Sequence, residues 1–533
     1  MSERRQIDWT PLVSALALVA AVLVMFATSP LNEQFWWTDS ATFALNGEFV
    51  RDYIASGLPR SPMAFANAWF LRYPALTISL YPPVFPLAEA AVFAVFGFSH
   101  AAAQATVAAF TMLAAWGAYR VGRTAMPAMA AAAFALVLLA TPGVLFWSRQ
   151  VMMETPSLAF LLLGASALLR YQAFGGPMRL LFAVAMVLAG TYTKQTAVFA
   201  APAFALALLV GSGPGLLRRP AVWVAALAGV VGLVPLVLFT LKFAPQLVDI
   251  AAAQGSSGNV SRLSVATLTQ YGRALPEITG WLPLLGGAGY VALVAIRGWS
   301  SAAERNLAVL MLCWFITDYG FITLIGHFEV RYGLMLAIPL ATFTVLLVVR
   351  ALGMPFAPTA ALAGGVVFFA ASILSEPVPW VGGFGAVAAS IVRDTAQNDV
   401  ILFDGEDSKS LMFSLRTRTP SAKVYVLRAE KLLVDYHFTR DWGIKDRDLS
   451  PDDIAAMIDR FGVSLVVLQP GFWTDQPSMA RLEAYVNSDR FELLEQIEVP
   501  AEEAYKRATI RIFRNKEPKR ASADTIRQLE ARP

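Results

Sequence analysis

Apolar runs of about twenty residues, separated by short polar breaks, fill the first seven-tenths of this 533-residue chain. A span of the bilayer core needs ~20 apolar residues in a helix. The pattern predicts spanning helices near 11–29, 103–121, 125–147, 155–171, 178–192, 195–211, 221–241, 281–297, 305–325, 331–350 and 357–376. A twelfth apolar stretch, "YPPVFPLAEAAVFAVFGFS" at 81–99, carries Pro82, Pro83, Pro86 and Glu89. Those residues suit an interfacial or re-entrant helix better than a crossing. The expectation is 11 to 13 spans, an odd number. Between the first run and this stretch, residues 30–80 read as a long loop with two amphipathic helices, "SATFALNGEFVRDYIASG" and "PMAFANAWFLRY", lying on the membrane. After residue 376 the period changes. "NDVILFD", "KVYVLR" and "GVSLVVLQ" read as buried strands, and "SPDDIAAMIDRF" and "PSMARLEAYVNSD" as capped helices. The predicted fold class is therefore an α-helical polytopic membrane protein with a small C-terminal α/β domain. Its domains are 1–376, including the outer loop 30–80, and 377–533.

Composition supports this division. The chain is 57% hydrophobic and 15% charged, against about 25% charged in soluble domains, and its mean hydropathy is +0.56. Residues 1–376 hold 34 charged side chains and the shorter remainder holds 46, so a water-exposed domain follows the membrane part. The net charge of +4 arises from arginines in the turns between spans and does not indicate a nucleic-acid partner. One cysteine, Cys313, excludes an intrachain disulfide and a thiolate metal site, and three histidines exclude a His-rich one. The basic start before the first apolar run, without a small-residue cleavage site, reads as an uncleaved signal anchor.

The positive-inside rule orients the chain. Arg4 and Arg5 place the N-terminus in the cytoplasm, and Arg120, Arg123, Arg170, Arg179, Arg218, Arg219, Arg297, Arg305 and Arg350 fall on the same side. The other loops and the C-terminal domain fall outside, which is the periplasm if the membrane is a bacterial inner membrane. The outer loops then collect Asp39, Arg149, Glu154, Lys194, His327, Glu329, Arg331 and Tyr332. Each alone could be a snorkelling anchor at a helix end. Together they put cations that suit a phosphate beside a carboxylate that suits a hydroxyl proton. "KDRDLSPDD" at 445–453 contains a D-x-D and reads as a solvated loop with a helix cap.

The ordered set "WWTDSATFALNG", "YPPVFPL", "SRQVMMETPSLAFLLLGASALL", "GTYTKQTAVFAAPAFAL" and "RYGLMLAIP" resembles the C-type (GT-C) integral membrane glycosyltransferases. The nearest branch is the protein-O-mannosyltransferase-like and lipid A aminoarabinose transferase-like enzymes. The resemblance covers about residues 8–376. It implies transfer of a sugar from a polyprenyl-phosphate carrier to an extracytoplasmic acceptor, with inversion at the anomeric carbon. The acceptor is lipid A or lipopolysaccharide, another envelope glycan, or protein. Asp39 matches the acid of the family's first outer loop. Ser40 stands where the family often has a second acid, which removes a paired-carboxylate metal site, so no cofactor is required and a divalent metal is unsupported. Tyr81 replaces the lysine of a "KPP" motif. Lys194 and Arg331 match the family's basic positions and, with Arg149, are the donor-phosphate candidates. Glu154 occupies a position often held by Asp. It joins Tyr81, His327, Glu329 and Tyr332 as a substrate-binding candidate.

The chemistry is coherent. An inverting transfer needs one base for the acceptor proton, and Asp39 supplies it. A leaving phosphate needs charge stabilisation, which Lys194 and Arg331 supply. The competing reading is a transporter or lipid flippase, which wants mid-membrane charges and repeated halves. Only Asp318 stands clearly mid-span, and no repeat is evident.

Overall fold

The structure, a computed structural model, describes residues 8–245, 264–325, 328–353, 355–419, 423–436, 440, 443–519 and 525. The chain divides into two compact units. One comprises residues 1–29, 78–85 and 104–378, and the other 30–77, 86–103 and 379–533. The first outer loop is therefore grouped with the C-terminal domain, where the sequence pattern had placed it in the membrane part. The last break between the units falls at Val378/Pro379.

In the first unit, eight described helices are long and apolar enough to cross a membrane: Thr10–Ala27, His100–Gly122, Glu154–Phe174, Gln195–Ser212, Pro220–Phe243, Ala302–Leu324, Val330–Leu352 and Ala357–Ser375. Two bent pairs raise the count to as many as ten. Ala128–Leu139 and Pro142–Ser148 meet at 73°, where Pro142 cannot continue the hydrogen-bond ladder. Val265–Thr279 and Trp281–Arg297 meet at 114° around Gly280, whose φ of +76° favours glycine. The first member of this second pair was expected to be loop; residues 246–263 of that loop lie outside the described residues. Pro177–Thr191, at 15 residues, covers about 22 Å against a ~30 Å core. Counting it as well brings the number to eleven. The helix Pro220–Phe243 has only 11% of its apolar window buried, so nearly its whole circumference is left for lipid.

Small residues bring the spans together. A Cβ on Gly365 would stand 3.3 Å from the Cα of Ala133, and one on Gly286 would overlap Thr344. Packing of this kind replaces the hydrophobic drive that lipid abolishes. The apolar stretch at 81–99 forms the helix Val84–Phe96, whose 13 residues are too few for a crossing.

In the second unit the loop contributes helices Thr38–Ala55 and Pro62–Arg72, both close to their expected bounds. The first is buried at every position from Ser40 to Phe49. It is thus a core helix, and the expected two-faced surface helix is corrected. Gly47 lets Glu89 pass, since a Cβ there would come within 2.8 Å of its carboxylate. The tail folds around a five-stranded mixed sheet of order β2-β1-β5-β7-β6. Its strands are β1 (Val400–Asp404), β2 (Tyr425–Arg428), β5 (Val463–Leu468), β6 (Phe491–Val499) and β7 (Ala508–Asn515); β3 (Val434–Tyr436) and β4 (Ile444–Asp446) form a separate ribbon. β1 runs parallel to β2 and β5, while β7 is antiparallel to β5 and β6. The D-x-D loop is a cap: Ser450 and Asp453 form a capping box, and Asp446 accepts from the Ser478 backbone and hydroxyl.

Candidate active site

Two clusters, one in each unit, hold the site residues. In the first unit three chain breaks converge. Glu154 opens the helix Glu154–Phe174, where the positive end of the helix dipole favours a carboxylate. Lys194 sits in the turn after Pro177–Thr191, its backbone N–H on the Gly190 carbonyl at 2.8 Å. Arg331 belongs to the 3-10 turn Val330–Leu336, which the Tyr271 hydroxyl anchors by donating to the Glu329 carbonyl at 3.2 Å. The Lys194 ammonium donates to Glu154 Oε1. Arg331 Nε lies 3.9 Å from Glu154 Oε1 and 3.9 Å from Glu329 Oε2. Tyr332 places its ring 5.2 Å from Lys194 Nζ. The segment around Tyr81 is tied to the same turn: Gln195 donates to the Leu80 carbonyl at 2.7 Å, and the Val84 N–H to the Tyr192 carbonyl at 3.0 Å.

Glu154, Lys194, Arg331 and Tyr332 line a cavity of about 10 Å³, room for one water. Lys194 and Arg331 thus both face Glu154. Two further candidates stand elsewhere. Arg149 is buried and donates from Nε to the Leu145 carbonyl at 3.2 Å and from Nη2 to the Glu376 carbonyl, so it clasps backbone. It does not line the cavity. His327 lies outside the described residues.

The second unit holds Asp39. It occupies the first turn of Thr38–Ala55, again at the positive end of a helix. Its Oδ1 accepts from Lys409 Nζ at 2.8 Å, and its Oδ2 from the indole N–H of Trp37 at 3.3 Å. Lys409 was not anticipated. It comes from the helix Ser408–Arg418, which follows β1 and packs on Thr38–Ala55. The same helix sends Arg416 to Asp52 at 2.8 Å and to Glu48 at 2.7 Å, and Arg418 to Glu33 at 2.9 Å. The one signal in the sequence was a basic helix, "SKSLMFSLRTR", matching the acidic loop "EQFWWTDSATFALNGEFVRD". Just before this helix, burial pushes the Asp407 carboxyl up to about 7, with Lys506 and Lys409 opposing, and pushes Asp404 well above the usual range. Among the described residues no three His, Cys, Asp or Glu side chains are grouped to hold a metal.

Residues 81–239 match the family described as dolichyl-phosphate-mannose-protein mannosyltransferase. No curated protein matches the chain by sequence. Among solved structures, ArnT from Cupriavidus metallidurans bound to undecaprenyl phosphate is similar at 14% identity and a TM-score of 0.62, covering 93% of this chain and 97% of that one. Its apo state aligns at 15% identity with the same TM-score and coverage. The archaeal oligosaccharyltransferase AglB from Archaeoglobus fulgidus, in complex with an inhibitory peptide and a dolichol-phosphate, aligns at 12% identity and a TM-score of 0.55, covering 89% of this chain and 71% of that one. Read with the eight or more apolar helices, these likenesses identify the chain as a multi-pass membrane protein with the C-type (GT-C) glycosyltransferase fold.

Proposed function

We propose that the protein is a glycosyltransferase that takes a sugar from a polyprenyl-phosphate carrier and passes it, with inversion, to an extracytoplasmic acceptor. The observation that carries the reading is the convergence of Lys194 and Arg331 on Glu154 from three chain breaks, in a fold whose relatives are solved with polyprenyl phosphates. A phosphate that enters this cluster takes the place of Glu154 as the counter-ion. Tyr332 lines it, Glu329 lies 3.9 Å from Arg331, and the segment that carries Tyr81 is tied to the turn of Lys194.

Asp39 is the base. The acceptor hydroxyl oxygen attacks the anomeric carbon, its proton goes to the Asp39 carboxylate, and the anomeric C–O bond breaks with its electron pair leaving on polyprenyl phosphate. Lys409 orients the carboxylate by donating to its Oδ1, and the reaction needs no metal ion. The N-terminus is cytoplasmic and the C-terminal domain extracytoplasmic, in a bacterial inner membrane. Acceptors of this reading are lipid A or lipopolysaccharide, another envelope glycan, or protein.

The test is release of free polyprenyl phosphate by the purified protein in liposomes. A panel of polyprenyl-phosphate sugars and an envelope extract serve as donors and acceptors. Acceptor-dependent release that survives EDTA supports the reading, and no release from any donor overturns it.

A further inference from the structure

A second polar cavity, of about 410 Å³, opens in the first unit where three helices end. Arg120 and Arg123 reach it from the end of His100–Gly122 and the turn beyond. Arg170 reaches it from the last turns of Glu154–Phe174, and Asn306 from the first turns of Ala302–Leu324. No carboxylate among the described residues lines it. Among the described residues none of the three arginines forms an ion pair. Arg123 donates to the Met126 carbonyl at 3.0 Å, and Asp8, which feels its charge, is engaged with Thr10. Two helix C-termini contribute about half a negative charge each and one N-terminus about half a positive charge. Against three guanidinium groups this leaves a strongly positive cavity.

Ser166 supplies an independent sign of a ligand. It lines the same cavity, is 1% exposed, and its hydroxyl has no hydrogen-bond partner. Two buried hydroxyls elsewhere in the membrane part are satisfied by their own helix, although Thr323 in Ala302–Leu324 is unpartnered like Ser166. Thr111 donates back to Val107 and Thr191 to Val187, four residues earlier. A buried polar atom left unsatisfied costs about 1–3 kcal/mol. An anion in the cavity satisfies both the hydroxyl and the guanidinium charge. Leu169, Ala173 and Phe174 supply apolar wall.

We propose that this cavity binds a phosphate-bearing group, an anionic phospholipid head group or free phosphate, at a site separate from the Glu154 cluster. Basic pockets between spans on the cytoplasmic side bind anionic lipid head groups by the same physics.

The test uses the full chain in phosphatidylcholine nanodiscs. One arm titrates phosphatidylglycerol and follows retained lipid by native mass spectrometry. The other titrates inorganic phosphate and follows thermal unfolding. Wild type is expected to retain phosphatidylglycerol at least tenfold more tightly than R120Q/R123Q/R170Q, with retention falling as salt rises. Stabilisation by inorganic phosphate alone, absent in the variant, instead assigns the site to free phosphate. Ser166→Ala, which keeps every charge, weakens binding several-fold and serves if the triple variant does not fold. Equal lipid retention by wild type and variants, with no phosphate effect, overturns the proposal and leaves the arginines as topological anchors.

Discussion

The two charged clusters solve opposite problems. Lys194, Arg331 and Glu154 have side chains only 11%, 11% and 5% exposed, and Glu154 faces both cations across three chain breaks. Asp39 and Lys409 form a simpler pair, with side chains 21% and 25% exposed. Attraction between charges strengthens as water is excluded, and so does the penalty for stranding one of them. The first cluster is therefore costly to open and the second, which meets solvent, is cheap to open. Under the proposed function these environments suit a phosphate-binding centre and a proton-accepting centre respectively.

Breaking the closed cluster has the largest effect. Among the described residues Lys194→Met leaves buried Glu154 with the more distant Arg331 as its cation, and destabilises the protein by about 3 kcal/mol. Thermal unfolding in detergent reads this directly; an unchanged melting temperature would show that the pair is not load-sharing. Arg416→Met makes the equivalent break in the second unit, because Arg416 serves both Glu48, which is fully buried, and Asp52. Arg51 still reaches Glu48 at 2.5 Å, so the loss is about 2–3 kcal/mol, and limited proteolysis of the tail should accelerate.

The acids behind Lys409 sharpen the contrast through pH. Asp407 holds its proton up to about 7, whereas an unfolded chain releases it near 4. The native state then binds the extra proton, so this contribution is complete at low pH and is lost as pH rises from about 4 to about 7. It amounts to about 4 kcal/mol at most. Asp407→Asn should flatten the fall in melting temperature between pH 5 and pH 8; a parallel curve would contradict the assignment. The smallest effect is at the open pair. Lys409→Met removes a half-exposed partner of Asp39, worth no more than about 1 kcal/mol of stability. It slows transfer about tenfold, chiefly in kcat and with a shifted pH profile, because the base loses its orienting charge.

Periodic features were readable in the sequence and relational ones were not. Spans such as 221–241 and strands such as "GVSLVVLQ" declare themselves through local hydrophobicity, and they appear as Pro220–Phe243 and Val463–Leu468. Asp39, Glu154, Lys194, Arg331 and Tyr332 were singled out because the topology gathers them in the outer loops and the ordered motifs resemble a known family. What escaped were pairings over long separations. Lys409 stands 370 residues from Asp39, and no local signal links them. The helix Val265–Thr279 was hidden by its polar positions and by the turn at Gly280, where the chain bends by 114°. The β6–β7 hairpin, with "ATIRIFRN" alternating on one side, was missed because charged residues between its apolar positions resemble a solvated segment. Arg149 was singled out as a charge at a helix end, but its bonds to the Leu145 and Glu376 carbonyls could not be read from the sequence.

The central claim is that Asp39 accepts the acceptor's proton. It is tested most directly by comparing wild type with Asp39→Asn in the same liposomes, donor and acceptor, following polyprenyl-phosphate release. Asn keeps the shape and the hydrogen bond from Trp37 but cannot take a proton. The account predicts a loss of about 10²- to 10⁴-fold in transfer with donor binding and melting temperature nearly unchanged. Release by Asp39→Asn at the wild-type rate would contradict it, and the base would then have to be sought elsewhere.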